Sequence, residues 1–254
     1  MTERGYRIGE STWTTVGAIS YDAAILPWGA TEAHNYHLPY ASDTIQAAAI
    51  AERAAERAWQ TGARVAVLPA VPFGVNTTQL DITLCINMNP STQAAVLADV
   101  VASLEAQRIH KLLILNSHGG NDFRQMIREL QPRTPVFLST INWWSCVDVS
   151  QFVEEPGDHA GEAETSAMLH LAPRLVAPLS EAGPGHARRS RLRGVRDGWA
   201  WAPRRWTQVT SDTGIGNPAK ATAKKGEKYV EAAVERISSF LIDLAALPLD
   251  DLYE

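Results

Sequence analysis

Four short apolar runs occur along the chain, and each is followed by proline, asparagine or another polar residue. The runs are Ala23–Leu26, Val65–Leu68, Leu112–Leu115 and Val136–Ser139. Apolar runs of this length that end in turn-forming or polar residues are typical of buried β-strands. We therefore predict four buried strands.

Helical patterns alternate with these runs. Residues Thr44–Thr61 form an alanine-rich, helix-favouring stretch, and Asn89 with Pro90 supplies a natural cap and first turn for a second helix. A third helix is predicted to begin near Asn121. The last helix is predicted to open at Asn217–Pro218, because an apolar stripe follows at four- and three-residue steps through Val230, Val234, Ile237, Leu241 and Leu244.

The order strand, helix, strand, helix predicts an α/β fold. Such alternation implies a mostly parallel central sheet with helices on both faces, which makes a three-layer sandwich. Nothing in the composition divides the chain, so we expect one domain over residues 1–254. The ligand site of such a fold lies beyond the carboxyl ends of the strands, so residues that directly follow a strand are the first candidates for chemistry.

The composition narrows the class of protein. With 45% hydrophobic residues the chain can bury a core, and its net charge of −5 predicts neither nucleic acid nor a membrane surface as a partner. We expect a small-molecule substrate. The polar N-terminus and the lack of a long apolar run predict a soluble, cytoplasmic protein. Cys85 and Cys146 are expected to be reduced thiols.

A polar cluster follows the first predicted strand. Glu32 and His34 are two residues apart, so in extended chain they point the same way, and Asp43 can fold back at the mouth of the next helix. Imidazole and carboxylate ligands suit zinc, manganese or ferrous iron, and an aspartate can bridge two such ions. The alternative interpretation of this loop, which also holds His37, is a polar surface.

A histidine also follows the third predicted strand. The chain turns there through NSHGGN, which places His118 at the carboxyl end of the strand, beside two glycines that let other groups approach closely. A glycine-rich turn capped by a hydrogen-bonded histidine is the structural alternative. A phosphate cradle is a second alternative, although the run lacks both the Walker pattern and GxGxxG.

A third cluster, Asp158 to Ser166, precedes a helix that Pro173 is expected to end. Its two glutamates, Glu162 and Glu164, lie about 200° apart around a helix, so they cannot both face one site. One of them is expected to serve the site and the other the start of the helix, where glutamates commonly act as capping partners.

The stretches GATEAHNYHLPYASDT, LNSHGGN and DHAGEAETS together resemble the signature of the creatininase family, with GIGNPAKATAKKGEKY near its closing segment. The resemblance runs from about Ala23 to Lys228. It implies a three-layer, creatininase-like α/β fold that assembles as a homo-oligomer, often a hexamer. It also implies two adjacent divalent metal ions at the carboxyl edge of the sheet, Zn²⁺ or Mn²⁺ or both, with Fe²⁺ as a further option.

The resemblance also implies a role for particular residues. The metal ligands it implies are Glu32, His34, Asp43 and His118, with Asp43 as the bridge between the ions. His159 is implied to be the general acid or base beside them, and we expect Asp158 to orient its ring.

The chain departs from creatininase in two places. Creatininase has a glutamate ligand two residues after the histidine that matches His118, whereas this chain has Gly120, and we predict that Glu164 completes the metal site instead. Creatininase also closes on its substrate with a tryptophan shortly before the catalytic histidine, and residues 152–158 contain none. Creatinine is therefore not the expected substrate, and Trp143 and Trp144 are candidates to replace that tryptophan.

These residues predict a metal-dependent amidohydrolase that hydrolyses the C–N bond of a small cyclic amide or a related amide. In such an enzyme a hydroxide held by one or both metals would attack the carbonyl, and His159 would supply the proton that the departing nitrogen needs. The alternatives are a formamide deformylase or specialised peptidase of the same family, and a non-catalytic metal- or nucleotide-binding module. Serine chemistry is not expected, because the chain lacks a GxSxG elbow.

An arginine-rich segment stands out in this acidic chain. Residues 186–206 hold seven arginines together with Trp199, Trp201 and Trp206, inside a long loop predicted over Gly183–Gly216. A contact between subunits is the first interpretation of this segment, and a clamp for an anionic group of the substrate is the second. Nucleic-acid binding is the least favoured interpretation.

Overall fold

The computed structural model describes residues 5–253; residues 1–4, the start of the polar N-terminus, lie outside the described part. Four strands form one parallel sheet in the order β2-β1-β3-β4. They are β1 (Ala23–Trp28), β2 (Val65–Val67), β3 (Lys111–Asn116) and β4 (Phe137–Asn142). Among the described residues, no helix has the length and apolar character that a membrane crossing requires. All four predicted strands and the α/β class are confirmed.

Strand β1 runs two residues further than predicted, through Pro27. Proline lacks an N–H group and is unusual inside a sheet. The carbonyl of Pro27 accepts a hydrogen bond from the Val71 N–H at 3.0 Å, beyond the point where β2 has ended at Val67. The N–H and C=O groups of one strand residue point the same way, so the missing N–H faces the side of β1 where β2 has ended and only an isolated bridge between Trp28 and Val71 continues the pairing.

The described residues form α-helices on both faces of the sheet. They are α1 (Trp13–Gly17), α2 (Ser42–Gln60), α3 (Pro90–Ala106), α4 (Phe123–Leu130), α5 (Glu162–Leu171), α6 (Arg193–Arg196), α7 (Trp206–Val209) and α8 (Ala223–Ala246). Short 3₁₀ helices lie at Ile8–Glu10, Gln131–Arg133, Trp143–Ser145, Val149–Gln151, Pro173–Leu175 and Leu179–Glu181. Helices α2, α5 and α8 cover one face of the sheet, and α3 and α4 cover the other.

The two larger of three apolar clusters among the described residues lie on opposite faces of the sheet. The side chains of β1 alternate between them: Ile25 packs toward α2 and α8, whereas Leu26 packs toward α3. Every residue of β1 is buried, so the strand reads as one continuous apolar run. This is the expected pattern for a parallel strand that is covered on both faces.

The last helix begins later than predicted. Asn217 and Pro218 form a turn, and α8 begins at Ala223, where the Thr222 hydroxyl caps the helix by accepting the Lys225 N–H at 3.2 Å. Threonine is a favoured N-cap residue, and Asn-Pro is a common start of a helix, so the sequence contains two possible starts for α8. The predicted apolar stripe is correct, and its residues Val230, Val234, Ile237 and Leu241 are fully buried.

Helices α5 and α8 approach each other closely at one glycine. A Cβ atom at Gly226 would lie 1.8 Å from the carbonyl oxygen of Ser166, so only glycine fits between the two backbones. This contact fixes the position of α5 against the core. Because α5 carries Glu162 and Glu164 in its first turn, it also fixes where these carboxylates lie.

Candidate metal centre

The polar residues that follow β1 and β3 lie together at the carboxyl edge of the sheet. These two strands are neighbours, so the loops that leave them meet, and α2 begins beside both. The cluster comprises Glu32, His34, Asp43 and His118, each no more than 5% exposed. The parallel sheet therefore brings together the residues that the sequence analysis selected.

Asp43 lies at the centre of this cluster, and its two carboxylate oxygens face different histidines. Its Oδ1 is 3.3 Å from His34 Nε2, and its Oδ2 is 3.2 Å from His118 Nδ1. Glu32 Oε1 is 2.9 Å from His118 Nδ1, and Glu164 Oε1 is 3.2 Å from His34 Nε2. Two groups of potential ligands result, which we call the Glu32 site (Glu32, Asp43 and His118) and the Glu164 site (His34, Asp43 and Glu164).

The second ring nitrogen of each histidine faces a backbone carbonyl. His34 Nδ1 lies 3.1 Å from the Glu32 carbonyl oxygen, and His118 Nε2 lies 3.1 Å from that of Val75. A carbonyl can only accept, so each of these nitrogens carries a proton. In a neutral ring the remaining nitrogen then presents a lone pair to the carboxylate oxygens, which is repulsive unless a proton or a cation lies between them.

Two buried atoms of the cluster make no hydrogen bond of normal geometry with the described residues: His34 Nε2 and Asp43 Oδ2. Unpaired buried polar atoms are rare in native proteins and call for an explanation. Here both atoms lie within 3.3 Å of other potential ligand atoms of the cluster. A pair of divalent cations fits this arrangement, because imidazole nitrogen and carboxylate oxygen are the donors that zinc and manganese accept.

The charges of the cluster respond to one another. Burial alone lowers the pKa of His34, but the carboxylates of Glu164 and Asp43 outweigh it and raise this pKa well above the usual value. The pKa of His118 is raised in the same way, against burial, by Glu32 and Asp43. Burial in turn raises the pKa of the three carboxyl groups, and the histidines outweigh it and lower each pKa. Without a cation, protons on the histidines neutralise the carboxylates.

His159 lies beside the Glu32 site. Its Nε2 is 2.9 Å from the Ala33 carbonyl oxygen, which leaves Nδ1 free, 3.8 Å from Glu32 Oε1. Its ring packs on that of His34, with centroids 4.3 Å apart, and lies nearly perpendicular to the Trp206 ring, with centroids 5.2 Å apart. The ring is therefore held on three sides with Nδ1 as the available nitrogen.

Asp158 does not orient His159, contrary to our expectation. Its carboxylate is 56% exposed and pairs with Arg204. The Ala33 carbonyl takes that role, because it lies within hydrogen-bond distance of the ring and Asp158 does not. His37 is also absent from the cluster: its Nε2 lies 2.8 Å from the Thr165 hydroxyl, and burial lowers its pKa to about 4.

The residues that follow His34 and His159 adopt the left-handed conformation. Asn35 has a φ of 54° and Ala160 a φ of 50°. The Asn35 N–H donates to the Thr213 hydroxyl at 2.8 Å, and the Ala160 N–H donates to Glu164 Oε2 at 2.7 Å. Residues other than glycine rarely adopt the left-handed conformation, so the surrounding contacts hold the backbone there.

The two glutamates of α5 separate as expected, but Glu162 has a larger role than capping. Glu164 reaches His34, whereas Glu162 is fully buried on the other side of the turn. Glu162 Oε2 accepts the N–H groups of Glu154 and Glu155, and its Oε1 pairs with Lys225 Nζ at 2.6 Å. It therefore joins the preceding loop to α8 and does not act as a simple helix cap.

A cavity of about 180 Å³ opens beside the cluster. Glu32, Asp43, His159 and Glu164 line one side of it, and Trp144 and Tyr229 contribute apolar surface to the other. The Tyr229 hydroxyl donates to the Trp144 carbonyl at 3.1 Å and so fixes this wall. Potential ligands, an available histidine nitrogen and apolar walls thus surround one small space.

Comparison with known proteins assigns the family. A family model described as creatininase, creatinine amidohydrolase, matches residues 9–241. The chain belongs to the creatininase family. This chain is also 28% identical, over 238 residues, to the mycofactocin precursor peptide peptidase of Mycolicibacterium smegmatis, covering 86% of this chain and 85% of that one. The Mycobacterium tuberculosis H37Rv peptidase of the same name is 27% identical over 239 residues, covering 90% and 87%.

Solved structures of creatininase family members share the fold. A Bacteroides fragilis crystal structure provisionally described as a creatinine amidohydrolase superimposes with a TM-score of 0.93, at 43% identity over 99% of both chains. A manganese form of creatininase gives a TM-score of 0.77 at 21% identity, covering 95% of this chain and 99% of that one. A zinc–zinc form of a creatininase variant gives 0.79 at 22%, with the same coverage. These last two likenesses show the fold alone.

Gly120 explains one departure from creatininase. A Cβ atom at this position would lie 2.2 Å from the Val75 carbonyl oxygen and 2.5 Å from His118 Nε2. Any side chain there would displace the carbonyl that orients His118. A glutamate cannot occupy residue 120 in this backbone, and the structure places the carboxylate of Glu164 at the cluster instead.

The two candidate tryptophans differ in their surroundings. Trp143 is 3% exposed, packs on Tyr229 in the core and donates through Nε1 to the Ser117 hydroxyl at 2.9 Å. Trp144 is only partly buried, and both tryptophans line the cavity. Of this pair, Trp144 is the more exposed, whereas Trp143 is held in the core by its packing on Tyr229 and its bond to Ser117.

Two glutamines and a thiol at the site were not selected from the sequence. Gln46 contacts Glu164, and Gln79 contacts Glu32 and the thiol of Cys85. Gln46 lies three residues after Asp43 on α2, so helical spacing places it on the same face as that candidate ligand. Gln79 lies in an irregular loop, and no pattern in the sequence indicates its contact.

Proposed function

We propose that this creatininase family member is a metal-dependent amidohydrolase that cleaves the C–N bond of a small cyclic amide or a related amide. The residues that would hold two divalent cations are Glu32, His34, Asp43, His118 and Glu164, with Asp43 shared between them. The observation that carries this proposal is the convergence of histidine lone pairs and carboxylate oxygens on two positions inside a buried site.

Divalent cations at these positions supply two kinds of chemistry, polarisation of a carbonyl oxygen and activation of a water molecule near neutral pH. The protein's own contribution is to fix the ligands. Backbone carbonyls hold the rings of His34 and His118 in one tautomer, and buried surroundings keep bulk water away. Fixed orientation of this kind lowers the reorganisation that accompanies the reaction.

His159 is the proposed proton donor. The Ala33 carbonyl holds Nε2, so a proton carried on Nδ1 is directed toward the cavity and toward Glu32. Cleavage of a C–N bond requires a proton on the departing nitrogen, and a fixed imidazole can deliver it. The Trp206 ring and the Ile215 backbone, which pairs with that of His159, keep this ring from turning away.

The size of the cavity supports a small substrate. A volume of about 180 Å³ admits a small amide, whereas drug-sized ligands fill pockets of roughly 300–1,000 Å³. The peptidases to which the chain is 27–28% identical favour a second candidate, a specialised peptidase that inserts only the end of a peptide. A formamide deformylase is compatible with the same residues.

Metal analysis tests the proposal directly. Protein purified without chelator should contain about two equivalents of Zn²⁺ or Mn²⁺, dialysis against a chelator should abolish turnover, and either metal should restore it. The substrate screen should cover lactams and other cyclic amides, formamides and short peptides. Full turnover in metal-free protein would refute the metal-dependent mechanism, and bound metal without turnover across the screen would favour a non-catalytic metal-binding module.

A variant of His159 separates the proton donor from the ligands. His159→Ala should retain both cations and lose turnover by about 100-fold or more, the usual scale of general acid–base catalysis. Loss of one cation would instead make His159 a ligand. Thiol chemistry is not a competing proposal, because Cys85 and Cys146 are free and burial raises the pKa of each thiol.

We also propose that the arginine-rich segment, residues 186–206, contacts a second copy of this chain in a homo-oligomer. Trp199 is 77% exposed and Trp201 is 86% exposed, which is unusual for tryptophan in a monomer. The pairing of Arg204 with Asp158, on the cavity wall, favours a substrate clamp as the second interpretation. Light scattering should show an oligomer that the Trp199→Ser/Trp201→Ser variant weakens, and salt-dependent oligonucleotide binding would contradict both interpretations.

A further inference from the structure

The two oxygens of the Glu32 carboxylate have different partners. Oε1 lies 2.9 Å from His118 Nδ1, on the side of the proposed cation. Oε2 accepts a hydrogen bond from the side-chain amide of Gln79. Both residues are at least 97% buried, so water does not compete for either oxygen. Gln79 comes from the loop between β2 and α3, and 47 residues separate it from Glu32.

The orientation of the Gln79 amide is determined by a second contact. A carboxylate oxygen only accepts, so Gln79 must present its NH₂ group to Glu32 and its carbonyl oxygen to the other side. On that side the Cys85 thiol lies 3.4 Å from Gln79 Oε1 as its donor. The Cys85 sulfur in turn accepts the Ala33 N–H at 3.2 Å.

These contacts form a chain that begins and ends in the loop between β1 and α2. It runs from the Ala33 N–H through Cys85 and Gln79 to Glu32, the residue that precedes Ala33. The carbonyl of the same Ala33 faces His159. An amide flip of Gln79 would leave two acceptors facing each other at Glu32 and would remove the acceptor of the Cys85 thiol.

A free carboxylate can bind a cation through one oxygen or both. At Glu32 the amide of Gln79 occupies Oε2 with a charge-assisted hydrogen bond, which leaves Oε1 as the oxygen available to a cation. A partner of this kind fixes the geometry of a metal ligand and typically changes metal affinity by about 10- to 100-fold.

We propose that Gln79, held in one orientation by Cys85, is a positioning residue that makes Glu32 a one-oxygen ligand and thereby sets the cation affinity of the Glu32 site. This inference rests on the proposed function, because it requires that the Glu32 site binds a cation. It adds a positioning unit from a loop that carries none of the ligands.

The second terminal carboxylate provides a matched control. Gln46 Nε2 donates to Glu164 Oε1 at 3.1 Å, and Oε2 of the same carboxylate accepts the Ala160 N–H at 2.7 Å. Gln46 therefore donates to the Glu164 oxygen that also faces His34, whereas Gln79 donates to the Glu32 oxygen that His118 does not contact. Both are buried glutamines, so substitution of either removes the same amide from a similar environment.

The experiment measures cation binding by calorimetry and by elemental analysis after equilibrium dialysis, with Mn²⁺ and Zn²⁺ as the probes. Gln79→Met retains the length of the side chain and removes its donor. We expect one of the two cations to bind about 10- to 100-fold more weakly in this variant. The effect should persist when Glu164→Gln has already impaired the other site, whereas the effect of Gln46→Met should disappear in that background.

Variants of Cys85 separate positioning from a general structural role. Cys85→Ser retains a donor and an acceptor and should bind cations as the wild type does. Cys85→Ala removes the contact that orients Gln79, and we expect the affinity of the Glu32 site to fall by about 2- to 10-fold, the effect of one net hydrogen bond. A purely structural role would lower the melting temperature of the chelated Cys85→Ala protein and leave both affinities unchanged.

The outcomes distinguish this inference from the proposed function. Wild-type protein that binds no cation would refute both. Wild-type protein that binds two, together with a folded Gln79→Met variant that binds both with unchanged affinity, would refute only the role of Gln79. If Gln79→Met fails to fold, the comparison of Cys85→Ser with Cys85→Ala decides, and equal affinities in those two variants would overturn the inference.

Discussion

Paired glutamine substitutions in the first turn of α5 test the site most sharply. Glu164→Gln removes a charged ligand from the Glu164 site and preserves the shape of the side chain. We expect the affinity for one cation to fall by at least about 100-fold, since loss of a ligand exceeds the 10- to 100-fold effect of losing a ligand's partner. Glu162→Gln should leave both cation affinities unchanged, because Glu162 lies outside the cluster.

The same pair should have the opposite order in stability. Glu162 is fully buried and its Oε1 pairs with Lys225 Nζ at 2.6 Å, while its Oε2 accepts two backbone N–H groups. A glutamine turns one of these oxygens into a donor that faces other donors. Loss of one hydrogen bond to a charged group lowers the free energy of unfolding by about 1.5–3 kcal/mol. For a chain of this size the melting temperature should fall by about 3–12 °C.

The assay keeps metal binding and folding apart. Unfolding is followed by circular dichroism in the presence of a chelator, so bound cations do not contribute to the melting temperature. Cation binding is measured separately, by equilibrium dialysis and elemental analysis of each variant below its melting temperature. Unchanged cation binding in Glu164→Gln, together with loss in Glu162→Gln, would show that the geometry of α5 has been misinterpreted.

Three further predictions concern the packing and charge of the centre. Gly120→Ala brings a Cβ atom within 2.2 Å of the Val75 carbonyl oxygen, so the free energy of unfolding should fall by about 1–3 kcal/mol in chemical denaturation, with weaker cation binding in the same protein. In the chelated protein the pKa values of His34 and His118 are raised by folding, so protonation of the two rings stabilises the fold fully below about pH 6.5. Denaturation midpoints should therefore fall as the pH rises above this value, and a flat profile would contradict the prediction. Gly226→Ala should separate α5 from α8, lowering the melting temperature and, because α5 moves, one cation affinity; an unchanged melting temperature would disprove the close contact.

The framework of the site was predictable because it depends on two strong signals. Continuous apolar runs identify strands that are covered on both faces, and parallel strands place the residues that follow them at one edge. Those rules bring His34, Asp43 and His118 together without any knowledge of the tertiary contacts. Helical geometry alone separates Glu162 from Glu164, because 100° per residue places them on opposite sides of one turn.

The remaining contacts depend on tertiary structure that the sequence pattern does not encode. Gln79 lies in an irregular loop, and its contact with Glu32 spans 47 residues. The burial of Glu162 depends on Lys225, which a helix start alone does not indicate. Thr222 and Asn217 are both credible helix signals, and only the packing of α8 on the core selects Thr222.

The left-handed residues that follow His34 and His159 limit how far this protein can be stabilised. Ala160 holds a conformation that raises the free energy of the native backbone by about 1–2 kcal/mol, and Asn35 holds the same conformation at lower cost because its side chain accepts the Tyr36 N–H. Glycine at Ala160 would relieve that strain, but it would also free the loop that aims the imidazole at the cavity. Engineering for heat resistance should therefore leave these two residues untouched and work on surfaces remote from the carboxyl edge, because relieving backbone strain at Asn35 or Ala160 would disturb the positions of His34 and His159.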